Sequence, residues 1–217
     1  MFKPLLGRRV IDVTQVLAGP YCTYQLALLG AEVIKIEFPD GGDWTRGGGK
    51  DAELSAAGLA LPFVTQNSAK KSVAIDLKNP AGLEALKALI ASADVLVENF
   101  KPGTIDKLGF GYEALKAIKP DLVYASISGY GQSGPKSELP AFDGAIQASS
   151  GMMSISGHPE SGPTRTGYFS VDMSTALNAA FAISAALFRR HLTGEGQRID
   201  VSMLDTAVVM QAAQMSN

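Results

Sequence analysis

Asp172 is the residue on which chemistry could turn. It stands in RTGYFSVDMSTALNAAFAISAALFRR, residues 165–190, where a polar, Gly-containing approach gives way to one acid and then a long apolar run. Ala176, Ala180, Ile183 and Leu187 recur on one helical stripe with Ala179 and Ala186 beside it. The spacing predicts a buried helix whose small face lies close to a sheet. Asp172 then falls at or near the helix start, where unpaired N–H groups and the dipole favour the ionised form. An ionised carboxylate held at a helix mouth is a competent nucleophile. Asp is equally a preferred N-cap, so a purely capping role accounts for the same position. Residues elsewhere have to decide.

Four expected strand ends carry unusual loops: Leu17-Ala18-Gly19-Pro20; Ile75-Asp76-Leu77-Lys78; Asn99-Phe100-Lys101-Pro102-Gly103 with Lys107 a turn beyond; and Gly129-Tyr130-Gly131. In a parallel sheet they emerge on one edge, the edge at which open α/β sheets bind ligands. Lys78, Lys101 and Lys107 would then share a rim suited to phosphate, and Phe100 or Leu17 offers a surface to an adenine ring. Taken singly, each lysine is ordinary solvated surface. No GxGxxG follows the first strand, and neither GxxxxGK[ST] nor GxSxG occurs, so dinucleotide, P-loop and hydrolase-elbow readings lose their main support. No Cys/His group has metal-ligand spacing, Cys22 alone excludes an internal disulfide, and His158 and His191 read as surface residues.

These loops need elements to hold them. RVIDVTQV, residues 9–16, reads as a first strand. Pro20 suits a first helical turn and Gly30 its stop, and residues 32–37 form a second strand, which makes a βαβ unit with parallel strands. Residues 39–50, PDGGDWTRGGGK, read as a flexible loop, and residues 51–65 as loop with a possible short helix. Further strands are expected at 72–76, 95–98, 122–128 and 198–202, with helices at 81–93, 143–150 and 203–215. The alternation predicts a doubly wound, mostly parallel α/β sheet. With 217 residues, 46% hydrophobic and 18% charged, a substantial core is available. A net charge of −2 argues against nucleic acid. No run approaches a membrane span, and the opening MFKPLLGRRV lacks a signal-peptide core, so a cytoplasmic setting is expected.

Five stretches carry a resemblance. They are VLAGPYCTYQLALLGAEVIKIEFPDGGDWTR; KKSVAIDLKNPAG; DVLVENFKPGTIDKLGFGYEALKAIKPDLVYASISGYGQSGP; AFDGAIQASSGMMSISG; and HLTGEGQRIDVSMLD. Together, and in this order, they resemble the N-terminal part of the family III CoA-transferases. That group includes formyl-CoA transferase, carnitine CoA-transferase, the bile-acid-inducible proteins and α-methylacyl-CoA racemase. The resemblance implies a Rossmann-like large domain, with a smaller domain expected beyond Asn217, and an interlocked homodimer. It implies Asp172, in SVDMSTA, as the nucleophile. It implies contacts to coenzyme A from Leu17, Ala18, Arg46, Ile75, Lys78, Asn99, Phe100, Lys101, Lys107, Pro140, Ala141, Phe142 and Asp143. Acyl-CoA and a small carboxylic acid are the implied substrates, with no permanently bound cofactor and no metal. The racemase branch reads Gly-His-Asp where this chain has Ala141-Phe142-Asp143, so α-proton exchange by that route is disfavoured. Racemase activity and a non-catalytic CoA-binding fragment stand as the alternatives.

Overall fold

The computed structural model describes residues 2–215. Six strands make one sheet: β1 Arg9–Asp12, β2 Glu32–Glu37, β3 Lys71–Ala74, β4 Val95–Glu98, β5 Val123–Ser128 and β6 Gln197–Ser202. Their order is β3-β2-β1-β4-β5-β6, and every neighbouring pair is parallel. Helices connect them: α1 Ala18–Leu28, α2 Ala52–Ala56, α3 Leu61–Asn67, α4 Pro80–Ala91, α5 Thr104–Lys107, α6 Tyr112–Ile118, α7 Asp143–Ser149, α8 Ser170–Thr193, α9 Met203–Met210 and α10 Ala212–Met215. The chain winds outward from β1 to β3, then crosses back through α4 to place β4 on the other side of β1. That reversal makes a crevice at the carboxyl ends of β1 and β4, the usual ligand position in such folds.

Alternation along the strands assigns the two faces. Val10, Val95, Val97, Val123, Ala125 and Ile127 point to one side and pack against Cys22 and Leu26 of α1 and Ala176, Ala179 and Ile183 of α8. Ile11, Ile34, Ile36, Leu96 and Tyr124 point to the other and meet Leu86, Ile90, Ile105 and Leu115. Alanines on α8 allow the close approach, because each holds the helix only a methyl group away from the β5 side chains. All six residues of the expected stripe are buried. By length and composition α8 could cross a membrane, which corrects the expectation that no run approaches a span. Ala176, Ala179, Ala180 and Ala186 on this helix face the sheet, while Leu177, Phe181, Phe188 and Leu192 on the same helix are exposed.

Boundaries also differ from expectation: β3 runs Lys71–Ala74 and not 72–76, α4 runs Pro80–Ala91 and not 81–93, and further differences have a visible cause. β1 ends at Asp12 rather than at residue 16, because Asp12 turns back to accept the Thr14 N–H at 3.0 Å and Val16 takes φ of 74°. Residues 51–65 hold α2 and most of α3, with Asp51 capping α2 by accepting the Leu54 N–H. The closing helix breaks at Gln211 into α9 and α10. The expected flexible loop at 39–50 contains a 3₁₀ turn, Trp44–Gly47, tied down by the fully buried Asp43.

Candidate active site

Three neighbouring spaces that share lining residues lie along the carboxyl edge of the sheet. A central chamber of about 290 Å³ is bounded by Val16, Leu17 and Ala18 after β1, Asn99 to Pro102 after β4, Ser128 and Gly129 at the end of β5, and Pro140 to Phe142 ahead of α7. Asp172 and Met203 close its floor. Gly129 allows this closure, since a Cβ there would collide with Ala141. An outer recess of about 170 Å³ holds Ile75, Leu77, Lys78 and Phe38 and shares Phe100 with the central chamber. An inner chamber of about 520 Å³ shares Val16, Leu17, Phe142 and Asp172 and adds Trp44, Pro62, Gln66, Arg165 and Phe169. Asp172 therefore stands where the central and inner chambers meet.

The elements behind the crevice are braced by buried charge. Asp12 pairs with Lys70 at 2.9 Å, and Lys35 pairs with Asp43 at 3.1 Å, with all four side chains nearly fully buried. Burial alone would push the Asp12 carboxyl up. Lys70 and Lys35, with hydrogen bonds from Thr14 and Thr23, outweigh it and hold Asp12 at about 2. Asp43 also accepts the Val16 N–H at 3.2 Å, and the Asn99 side chain both accepts from the Gln15 N–H and donates to the Gln15 carbonyl, each at 2.8 Å. A β-branched residue at positive φ is costly, on the order of 1–3 kcal/mol. Asp43 and Asn99 hold Val16 in it, and the following N–H groups of Leu17 and Ala18 then have no acceptor among the described residues. Glu98, which burial pushes up to about 7, accepts the Phe100 N–H at 2.9 Å and fixes the loop after β4.

Asp172 is not ionised by its helix, contrary to the sequence-based expectation. The α8 N–H groups of Val171 and Asp172 are both taken by the Asp143 carboxylate, at 2.9 and 3.0 Å, and those of Ser170 and Met173 by backbone carbonyls. Burial, and then the negative charge of Asp143, push Asp172 up to about 7. Asp143 is thus the cap of α8, supplied from α7 across the fold, and its other oxygen accepts from Gln147.

The structure brings Leu17, Ala18, Asn99, Phe100, Lys101, Pro140, Ala141, Phe142 and Asp172 to the central chamber and Ile75 and Lys78 to the outer recess. Asp143 reaches the inner chamber's wall, its oxygens already engaged. Lys107 is exposed on α5 and lines none of the three spaces. Arg46 forks onto Glu37, at 2.8 and 2.6 Å, and lies 3.8 Å over the Phe63 ring, so it braces the loop whose Trp44, Thr45 and Gly48 form the chamber wall. Sequence reasoning missed Ser128, whose buried Oγ has no partner among the described residues, and the inner-chamber residues Gln66 and Arg165. Arg165 sat only seven positions ahead of Asp172, a cation on the same approach.

With this geometry in hand, comparison with known proteins is decisive. The family model described as CoA-transferase family III matches residues 5–217. This chain belongs to that family. It is 42% identical over 217 residues to a succinate–glutarate CoA-transferase of Agrobacterium fabrum, covering 99% of this chain and 54% of the relative. It is 43% identical to a formyl-CoA:oxalate CoA-transferase of Rhodopseudomonas palustris, covering 94% and 47%. A CAIB/BAIF family protein from Brucella suis superposes with a TM-score of 0.94 at 40% identity, covering 100% of this chain and 57% of that one. The family III chain described here spans about half the length of the curated relatives it matches.

Proposed function

We propose that this chain carries the CoA-binding part of a CoA-transferase site in which Asp172 is the nucleophile, moving CoA from an acyl-CoA to a small carboxylic acid. The observation that supports this is the position of Asp172 at the meeting of two chambers, one neighbouring Phe100 and the recess of Lys78 and the other largely apolar and bordered by Phe169. The nucleotide end of CoA lies along the first path and supplies positioning energy remote from the reaction. The acyl group occupies the second.

The Asp172 carboxylate attacks the thioester carbonyl, the C–S bond breaks, and CoA leaves as the thiolate. The product is a mixed anhydride. The thiolate then attacks the aspartyl carbonyl, forming an aspartyl-CoA thioester and releasing the donor acid. The acceptor carboxylate attacks that thioester, and the returning thiolate completes the new acyl-CoA and frees Asp172. Anhydride and thioester are both reactive acyl species, so a carboxylate suits the relay. A side chain poised near 7 is partly ionised at neutral pH, and its poor solvation leaves the ionised form reactive. The N–H groups of Leu17 and Ala18 are the donors available to a developing oxyanion, since those of α8 are taken.

Racemisation needs a second proton-exchanging group. Phe142 fills the corresponding position, and neither histidine lines the chambers. The cytoplasmic setting and the paired assembly belong to the same proposal; exposed Leu177, Phe181, Phe188 and Leu192 along α8 support association with a second copy. Asp172→Ala is expected to abolish transfer while leaving CoA affinity nearly unchanged. Turnover retained in that variant removes Asp172 from the reaction.

A further inference from the structure

The carboxylate that caps α8 is itself held by a neighbour. Asp143 and Gln147 stand four residues apart on α7, so their side chains share one face. Gln147 is fully buried, and both N–H groups of its amide are engaged. Its Oε1 accepts the Thr166 N–H at 3.0 Å. A backbone N–H can only donate, so this contact fixes which way the amide faces. Nε2 then donates to Asp143 Oδ1, at 2.5 Å, and to Thr166 Oγ1, at 2.8 Å. Thr166 Oγ1 in turn donates to the Tyr168 carbonyl, at 2.8 Å, and lies 3.0 Å from Oγ of Ser170, the first residue of α8. With Oδ1 held in this way, Asp143 Oδ2 meets the N–H groups of Val171 and Asp172. One amide thus joins α7, the cap beside Asp172, and the approach segment that ends at Phe169 on the border of the inner chamber.

We infer that Gln147 is a positioning residue for the nucleophile: its amide orients the Asp143 carboxylate onto the α8 N–H groups and so fixes where Asp172 stands and which charge it faces. The word nucleophile rests on the role proposed for Asp172. A fully satisfied buried network is rigid, and the loss of one member releases the others. Without the Gln147 amide, Asp143 either takes up a proton or swings off the cap. The first removes the negative charge beside Asp172, and the second frees helix N–H groups to it. Both lower the pH at which Asp172 titrates. The other charged side chains that line its two chambers are Lys101 and Arg165, and neither touches Gln147, so their influence is the same with and without the amide.

Two substitutions test this. Gln147→Met fills nearly the same volume without a donor or an acceptor. Gln147→Asn keeps an amide but is one methylene short of spanning Asp143 and Thr166, and it is expected to fold even where Gln147→Met does not. The first readout is carbon-detected NMR, with the Asp172 signal identified by its loss in Asp172→Asn. The midpoint is expected near 7 in the unmodified protein, about one unit or more lower in Gln147→Met, and in between for Gln147→Asn. The second readout is hydrogen exchange of the Val171 and Asp172 amides, expected to run roughly fivefold faster in Gln147→Met, as for a lost cap. A Gln147 that merely fills space predicts lower stability with neither change. An unmoved Asp172 midpoint in the variants that fold, or unchanged exchange of the two amides, would overturn the inference. Mass analysis after incubation with an acyl-CoA separates this from the fate of the transfer proposal. No CoA adduct on the unmodified protein removes transfer, while a moved midpoint still supports Gln147 as the residue that positions Asp172. An adduct together with an unmoved midpoint leaves transfer standing and overturns the role of Gln147.

Discussion

The proton on Asp172 sets the behaviour of the site near neutral pH. Its pKa is raised, so the native state holds a proton that the unfolded chain has already released. Stability attributable to this group is therefore greatest at low pH and declines as pH rises from the ordinary carboxylate range through about 7. Asp172→Asn removes that loss. Its melting temperature is expected to exceed the unmodified protein's at pH 8, with the gap closing by pH 4; thermal unfolding at the two pH values checks it, and an equal gap at both would contradict it. Asp143→Ala acts oppositely on two counts. It strips the cap from α8, costing about 0.5–2 kcal/mol, and removes the negative charge that disfavours the ionised Asp172 carboxylate. The melting temperature falls and the Asp172 titration moves to lower pH, which carbon-detected NMR of the carboxyl group would register. Asp172 stood out in sequence because a single acid preceded a long apolar helix. Its ionisation could not be read, since Asp143 lies 29 positions away and only the fold brings it to the α8 N–H groups.

At the scale of elements, the turn after β1 is held by charge rather than by glycine. Val16 keeps a left-handed backbone because Asp43 takes its N–H, and Asp43 is itself paired with buried Lys35. Asp43→Ala removes the direct ion-pair partner of buried Lys35 and is expected to cost about 3–5 kcal/mol, measurable by urea unfolding. A loss within experimental error would mean that water reaches Lys35 and the brace is unimportant. The strand holding Lys35 and Glu37 was legible as part of the βαβ unit, as were the long helices; α2 and α3 were not. The brace was not. Charged residues inside VIKIE give no hint of partners in a Gly-rich loop, and Asp12 meets Lys70 across 58 positions of sequence. The early end of β1 followed from the same cause, because the Asp12 side chain captures the Thr14 N–H that a longer strand would have given to the ladder.

Over the whole molecule, alternating strands and helices foretold a doubly wound sheet, while the position of the crevice followed only from the observed strand order. The crossover from β3 to β4 puts the loops after β1 and β4 side by side, and the loop after β5 joins them. Arg46 and Lys107 share that carboxyl edge in sequence terms, yet one is spent on Glu37 and the other faces away into solvent. The proposed association rests on the apolar side chains exposed on α8. Phe181→Glu with Phe188→Glu is expected to shift the protein to a smaller species in sedimentation velocity, with CoA binding retained. An unchanged sedimentation coefficient would place the contact elsewhere. The most direct measurement of the central claim is peptide mapping by mass spectrometry after incubation with an acyl-CoA. A CoA-sized adduct on the peptide containing Asp172, absent from Asp172→Ala, is the predicted result; an adduct on another residue, or one that survives the substitution, would contradict it.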